Sequence, residues 1–218
     1  MNSRRLLSFE RMMIFSALLS FGFLFYRCIF AENFHYTFLL WNMLIAFLPY
    51  IISKKLVSVK ENSFASYLLL FGWLVFFPAC IYPLADVLHM QQASNFSFVY
   101  DAIMFFSFAV TGLLPGLISL KNVETFLKKH TSGLLTKLSV VFFIALSSYS
   151  ACVVRFLHLK SWNVLSDFKR MYAASIRDIS DPLAHFRIWA YLIVLVLAID
   201  VMYAVFKRLS VKSRRLKY

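Results

Sequence analysis

The chain has 218 residues, of which 61% are hydrophobic and only 15% are charged. A soluble domain is roughly 45 to 50% apolar and about 25% charged, so a water-soluble fold of this length could not bury so much apolar surface. The same composition excludes a disordered chain, and the five glycines, five prolines and three cysteines exclude a collagen-like repeat and a disulfide-stapled miniprotein. With a mean hydropathy of +0.73, the composition is typical of a polytopic membrane protein.

Six apolar runs follow one another along the chain, and each is close to the roughly 20 residues that a helix needs to cross a bilayer core about 30 Å thick. None shows the alternation of apolar and polar residues over about ten positions that is typical of a barrel strand. The sequence therefore predicts an all-α polytopic bundle, a single transmembrane domain over residues 1–218 with a basic tail at 207–218. The predicted spans are 12–31, 34–52, 64–83, 97–120, 138–157 and 188–206.

Lysine and arginine are unevenly distributed among the segments that flank these runs. The amino terminus, the second loop, the fourth loop and the tail carry most of them, the first and third loops carry none, and the fifth loop carries four. By the positive-inside rule we expect both termini to be cytoplasmic, in an inner or plasma membrane. Orientation and attraction to anionic headgroups explain the net charge of +13, so the expected partner is the lipid bilayer and not a nucleic acid.

Polar and ionisable residues gather at the ends of the spans that this topology places outside. Ionisable groups at membrane depth cost several kcal/mol unless they are paired or hydrated, so such a cluster indicates a functional site. We expect Asp86, Asp101 and Arg155 to face one another at the floor of an outward-opening polar pocket. Alternatively, the two acids are helix caps or interfacial residues and Arg155 extends to the headgroups. The predicted ligand-binding residues are Tyr82, Asp86, His89, Asp101, Arg155, His158 and Trp162.

Helical spacing places several of these residues on common stripes. Pro78, Tyr82, Asp86 and His89 follow at i, i+4, i+8 and i+11, provided that the helix continues past Pro83. Because a proline removes a backbone hydrogen bond, Pro78 and Pro83 predict a kink or break near the end of the third span. In the fifth span, a second stripe consists of Ser148, Cys152, Arg155 and Trp162.

Other kinds of site are not expected. The five histidines and three cysteines show no H-x-x-H, H-x-x-x-H or C-x-x-C spacing, and the G-x-S-x-G turn of a serine hydrolase is absent. We therefore predict no metal and no cofactor. Gly112 and Gly116 form a G-x-x-x-G sequence, which lets another helix approach closely and predicts a helix-packing position.

Several short segments carry a resemblance to a known family. They are Trp41-Asn42, Phe76-Phe77-Pro78 through Tyr82, Asp86 and His89-Met90, Tyr100-Asp101, Thr111-Gly112-Leu113 with Gly116 and Ser119-Leu120, and Arg155-Phe156-Leu157 with Ser161-Trp162. In their order and spacing they resemble the family catalogued as domain of unknown function 1361 (DUF1361). The resemblance implies a bacterial multi-spanning membrane protein with no established activity. It also implies that six of the predicted site residues occupy motif positions of the family, namely Tyr82, Asp86, His89, Asp101, Arg155 and Trp162.

Two segments depart from the family pattern. Where the family has Pro-Asn-Ala-Pro-Tyr, this chain has Pro78-Ala79-Cys80-Ile81-Tyr82, and where the family has Asn-Ser-Trp-Asp it has Lys160-Ser161-Trp162-Asn163. The missing acid at Asn163 puts in doubt any role that the family gives to that position.

Three functions are compatible with these features. The first is a binder or transporter, as a single chain or a homodimer, whose outer pocket takes a polar or anionic group such as a lipid headgroup through Arg155, with Asp86 and Asp101 tuning the site. The second is a membrane enzyme acting on a lipid-linked substrate at the outer interface, with His89 or Asp86 as general base. The third is an accessory subunit whose polar cluster joins helices or docks a partner membrane protein, with the fifth loop as an interfacial or partner-binding segment.

Overall fold

The structure is a computed structural model that describes residues 3–31, 35–59, 63–87, 98–157 and 168–215. Within these ranges every regular element is a helix, so the predicted all-α fold is confirmed. Two of them are short 3-10 helices, His35–Thr37 and Phe77–Cys80. The α-helices, numbered in chain order, are α1 Ser3–Ala31, α2 Phe38–Ala46, α3 Leu48–Ser58, α4 Phe64–Phe76, α5 Tyr82–Val87, α6 Phe98–Leu127, α7 Gly133–Phe156, α8 Phe168–Ser180 and α9 Phe186–Arg215.

Six segments of the described chain are long and apolar enough to cross a membrane, which confirms the predicted number of spans. Helices α1, α6, α7 and α9 each supply one span. The second span consists of α2 and α3, and the third consists of α4, a 3-10 helix and α5. The observed segments are Glu10–Phe30, Phe38–Ser58, Phe64–Val87, Phe98–Leu127, Gly133–Val154 and Phe186–Ser210.

Prolines interrupt two of the spans. The predicted break in the third span is confirmed, because a 3-10 helix containing Pro78 separates α4 from α5. Pro83 lies in the first turn of α5, where its missing N–H costs no helical hydrogen bond. The second span is also interrupted, at Phe47, and this interruption was not predicted. Pro49 explains it, because proline has no backbone N–H to donate a hydrogen bond to the carbonyl four residues earlier.

Helix α6 is the centre of the bundle. Of its most apolar stretch, 72% is buried inside the protein, compared with 22% for the spans of α1 and α9. It packs against α1, α2, α3 and α5. Side chains at either end of α6 therefore have neighbours from several helices, whereas α1 and α9 present most of their apolar surface outwards.

Contacts between the helices define two ends of the bundle. Ser20 and Arg27 of α1 bond Ser107 and Asp101 of α6, so these two helices run antiparallel. We call the end at which α1 and α5 finish and α6 begins the Asp101 end. We call the opposite end, at which α3, α6 and α9 finish, the Glu124 end.

Candidate functional site

A buried ion pair joins α1 to α6 at the Asp101 end. Arg27 Nε donates a hydrogen bond to Asp101 Oδ1 at 2.7 Å, and Arg27 Nη2 donates to Oδ2 at 3.2 Å. Only 1% of the Arg27 side chain and 8% of the Asp101 side chain are exposed. The Tyr36 ring lies against the guanidinium, with 4.5 Å between Arg27 Cζ and the ring centroid. Two-point contact is the strong form of an arginine–carboxylate pair, and each charge depends on the other for its place in the interior.

The local sequence explains how these two charges meet. Asp101 lies in the first turn of α6, where the helix dipole favours a carboxylate. Arg27 continues the buried stripe of α1, whose other members at helical spacing are Met13, Ser20 and Leu24. The side chains on the other faces of α1 are largely exposed, so the stripe directs Arg27 towards α6.

A second buried polar contact at this end joins α2 to α5. Asn42 Nδ2 donates to Asp86 Oδ2 at 3.5 Å, and both residues are buried. Asp86 lies on the short helix that follows the break in the third span. At 3.5 Å this contact is long for a hydrogen bond, so Asp86 is held less tightly by Asn42 than Asp101 is by Arg27.

One apolar cluster adjoins both polar contacts. Val87, Met43 and Tyr100, which neighbour Asp86, Asn42 and Asp101 in sequence, all belong to it or pack against it. The Tyr100 hydroxyl also donates to the backbone oxygen of Phe23 on α1, at 2.7 Å. The two polar contacts are therefore parts of one region, built from α1, α2, α5 and α6. The buried members of the cluster are Leu24, Tyr36, Leu39, Met43, Met104, Phe105 and Phe108.

Close packing against α6 positions the helix that carries Asp86. A Cβ added to Gly116 would lie 2.8 Å from Cys80 Cβ, and a Cβ added to Gly112 would lie 3.2 Å from Pro83 Cγ. The Cys80 thiol donates to the backbone oxygen of Ala46, at 3.3 Å. Only glycine lets the broken third span approach α6 so closely, and this approach sets the position of α5.

The structure places the predicted site residues as follows. Asp86 and Asp101 are buried at the Asp101 end, and Tyr82 is half-buried one turn before Asp86, packed against the main apolar core. Arg155 lies in α7, but its side chain is outside what the structure describes. The remaining three predicted residues fall outside the described ranges: His89, His158 and Trp162. The grouping of Asp86, Asp101 and Arg155 around one pocket stays a prediction.

Arg27 is the residue of this region that the predicted site omits. The sequence contains the signal, because Arg27 is a single cation inside the first apolar run and an intramembrane charge marks a functional or structural site. Its position near the outer end of the predicted span 12–31 is also compatible with a residue at the membrane surface, which is why spacing alone does not select it. Among the residues that the structure describes, no group of three or more His, Cys, Asp or Glu side chains is arranged to hold a metal ion.

The Glu124 end also contains charged clusters, but of another kind. Glu124 of α6 accepts from Lys128 and Lys207, both at 2.8 Å, and from the Tyr203 hydroxyl. The Glu124 side chain is 5% exposed, while those of Lys128 and Lys207 are 56% and 40% exposed. The lysines reach a buried carboxylate from the surface, which is how long basic side chains behave near the ends of membrane helices.

Glu10 forms a similar contact between α1 and α3 at the same end. It accepts from Lys54 Nζ and from the Tyr50 hydroxyl, each at 2.8 Å. Lys54 and Glu10 are 45% and 31% exposed. This pair is accessible to solvent and ions to a degree that the Arg27–Asp101 pair is not.

Six apolar spans, with paired charges buried at one end of the bundle, define a polytopic membrane protein. A family model described as "Protein of unknown function (DUF1361)" matches residues 41–201, and the chain belongs to this family. The match includes Asp86 and Asp101, whereas Arg27 precedes it. No curated protein and no solved structure matches the chain.

Proposed function

We propose that the Asp101 end binds a polar or anionic, lipid-like ligand, and that the protein holds or transports this ligand in the membrane. The observation that carries the proposal is the concentration of buried polar contacts there, Arg27 with Asp101 and Asn42 with Asp86, around one apolar cluster. Ionisable groups at membrane depth are costly, which makes such a region a functional candidate. Polar groups beside apolar side chains suit a ligand that has a headgroup and a chain.

The two polar contacts have different roles in this proposal. Arg27 and Asp101 pair at 2.7 Å and are the framework that joins α1 to α6. Asp86 has the looser contact, at 3.5 Å, and lies on a short helix after a break. We assign ligand contact to Asp86 and Tyr82, together with Arg155 of α7 and with three residues outside the described ranges, namely His89, His158 and Trp162.

The expected orientation also belongs to this proposal. Both termini are cytoplasmic in the plasma membrane, so the Asp101 end faces outwards, as the distribution of lysine and arginine favours. To test this, a green fluorescent protein is fused after Tyr218 in a bacterial host, and alkaline phosphatase is fused at the same position in a second strain. With a cytoplasmic carboxyl terminus, the fluorescent protein will fluoresce and the phosphatase will be inactive. Active phosphatase with a dark fluorescent protein would reverse the topology and place the Asp101 end inside.

Native mass spectrometry of detergent-released protein, with identification of bound small molecules, tests the proposal. The variant is Asp86→Asn, which keeps an acceptor for Asn42 and removes the charge. The matched control is Asp200→Asn, which removes an acid from the span of α9, outside both polar contacts. We expect parent and control to retain the same lipid or metabolite and Asp86→Asn to lose it, while all three keep the same melting temperature.

The Arg27–Asp101 pair itself favours a second candidate function, in which the protein is an accessory subunit of a membrane complex. A pair that closes on itself links two helices and needs no ligand, because each charge compensates the other. If parent, variant and control are all free of small molecules but co-purify with the same membrane protein, the accessory role replaces the ligand-binding one. A ligand that is chemically altered during incubation with the parent, and unaltered with Asp86→Asn, would identify an enzyme.

A further inference from the structure

Helix α8 lies between the fifth and sixth spans and has three distinct faces. Tyr172, Ile176 and Ile179 follow at i, i+4 and i+7 and therefore share an apolar face. Arg170 and Arg177 lie on another side of the helix, whereas Lys169, seven residues before Ile176, borders the apolar face, and all three basic side chains are exposed. This is the arrangement of an amphipathic helix, and at 13 residues α8 is too short to cross a bilayer.

A third face of α8 attaches it to the bundle. Ala174 and Asp178 are buried. The Tyr149 hydroxyl of α7 donates to Asp178 Oδ2 at 3.3 Å, and Trp189 Nε1 of α9 donates to the backbone oxygen of Asp178 at 3.2 Å. These contacts leave the apolar face uncovered, because Tyr172, Ile176 and Ile179 are 61%, 47% and 64% exposed.

The same contacts fix the level of α8 along the spans. Tyr149 lies seven residues before the end of α7 at Phe156, which corresponds to about 10 Å along the helix axis. Trp189 lies in the first turn of α9. Helix α8 is therefore at the Asp101 end, attached through a tyrosine and a tryptophan, and these two residue types are common at the depth where acyl chains meet headgroups.

We propose that α8 is an interfacial helix that binds the surface of the protein's own membrane, with a preference for anionic lipids. The apolar face inserts among the acyl chains, and Lys169, Arg170 and Arg177 contact the phosphate groups. A lipid surface is the occupant that matches both faces, because it offers apolar and anionic groups in layers about as far apart as the two sides of one helix. The proposal does not depend on a ligand at the Asp101 end.

Spin labels on single cysteines in reconstituted vesicles test this assignment. Ile176→Cys labels the apolar face, and Ala173→Cys, on the basic side of the same helix, is the matched control. The background carries Cys28→Ser, since Cys80 and Cys152 are buried. In phosphatidylglycerol vesicles we expect the label at Ile176 to collide several-fold more with oxygen than with a water-soluble nickel complex, and the label at Ala173 to show the reverse.

The charge requirement is tested in the same vesicles. Replacing Lys169, Arg170 and Arg177 together by glutamine, or using phosphatidylcholine vesicles, will raise the collision rate of the Ile176 label with nickel. These three side chains are exposed, so the fold will be retained, and Asp178 is left intact to hold α8 in place. Equal nickel access at Ile176 and Ala173 in phosphatidylglycerol would overturn the proposal. Dipolar coupling between labels of two copies would overturn it as well, because the apolar face would then be a contact between copies.

Discussion

Each end of the bundle contains a buried carboxylate, and the two ends differ in how exposed its basic partners are. At the Glu124 end, a carboxylate that is 5% exposed is neutralised by lysines that are 56% and 40% exposed, so its partners remain hydrated. At the Asp101 end, Arg27 and Asp101 are 1% and 8% exposed, so both charges have left solvent. A buried charge whose partner is removed is far more costly than a surface charge in the same situation. Anchoring at a membrane surface explains the charges of the Glu124 end, but it does not explain a pair in which both charges are buried.

The largest loss of stability is expected when one member of the buried pair is removed. Asp101→Ala leaves the Arg27 guanidinium buried without its carboxylate, and we expect a loss of about 3 to 5 kcal/mol in the free energy of unfolding. Denaturant titration in detergent micelles measures it. The control is the double variant Arg27→Met with Asp101→Leu, which replaces both charges by apolar side chains and should recover most of the loss. A double variant as unstable as Asp101→Ala would show that the pair is not the cause.

The packing that positions Asp86 gives the next largest effect. Gly116→Ala would place a Cβ 2.8 Å from Cys80 Cβ, so the third span must shift, and we expect a loss of about 1 to 3 kcal/mol. The matched control is Gly72→Ala in α4, where no atom lies within 4 Å of an added Cβ. Because alanine is the better helix former, the control should be neutral or slightly stabilised. Equal stability of the two variants would mean that the approach of α6 and Cys80 is not tight.

A smaller effect is expected when the buried acid of the Glu124 end is neutralised. Glu124→Gln still accepts from the Tyr203 hydroxyl, and Lys128 and Lys207 can turn to water. We therefore expect a loss of about 1 kcal/mol, well below that of Asp101→Ala. The same denaturant titration compares the two directly. A loss as large as that of Asp101→Ala would remove the distinction between the ends.

The smallest effect is expected for the exposed pair between α1 and α3. Glu10→Gln removes a partner of Lys54, which is 45% exposed, and the expected loss is about 0.5 kcal/mol. Because the pair is accessible to ions, raising the salt concentration should reduce the difference between parent and variant. Salt should leave the effect of Asp101→Ala unchanged, and a salt-sensitive Asp101→Ala would indicate that water reaches the Arg27–Asp101 pair.

The spans were predictable because crossing a membrane depends on a local property, the length of an apolar run. The break at Pro78 was predictable for the same reason, and the break at Pro49 was available to the same argument. The partners of the buried charges were not predictable in this way, because Arg27 and Asp101 are 74 residues apart and Asn42 and Asp86 are 44 residues apart. Which helices become neighbours in a bundle depends on the packing of complete faces. The G-x-x-x-G sequence predicts a close approach at Gly116, but it does not specify that the third span, through Cys80, makes it.

Helix α8 was predictable only in part. Its apolar residues follow a helical period, which is a local property, yet the loop was predicted only as an interfacial or partner-binding segment. The buried face that carries Asp178 could not be assigned in advance, because its partners Tyr149 and Trp189 belong to two different spans.

The most direct test of the central claim compares the two ends by ligand retention. Native mass spectrometry of Asp86→Asn and Glu124→Gln, each beside the parent and in the same detergent, asks which end holds a bound molecule. We expect Asp86→Asn to lose the molecule that the parent carries and Glu124→Gln to keep it. Loss of the molecule from Glu124→Gln, with full retention by Asp86→Asn, would contradict a ligand site at the Asp101 end and would place the site at the Glu124 end.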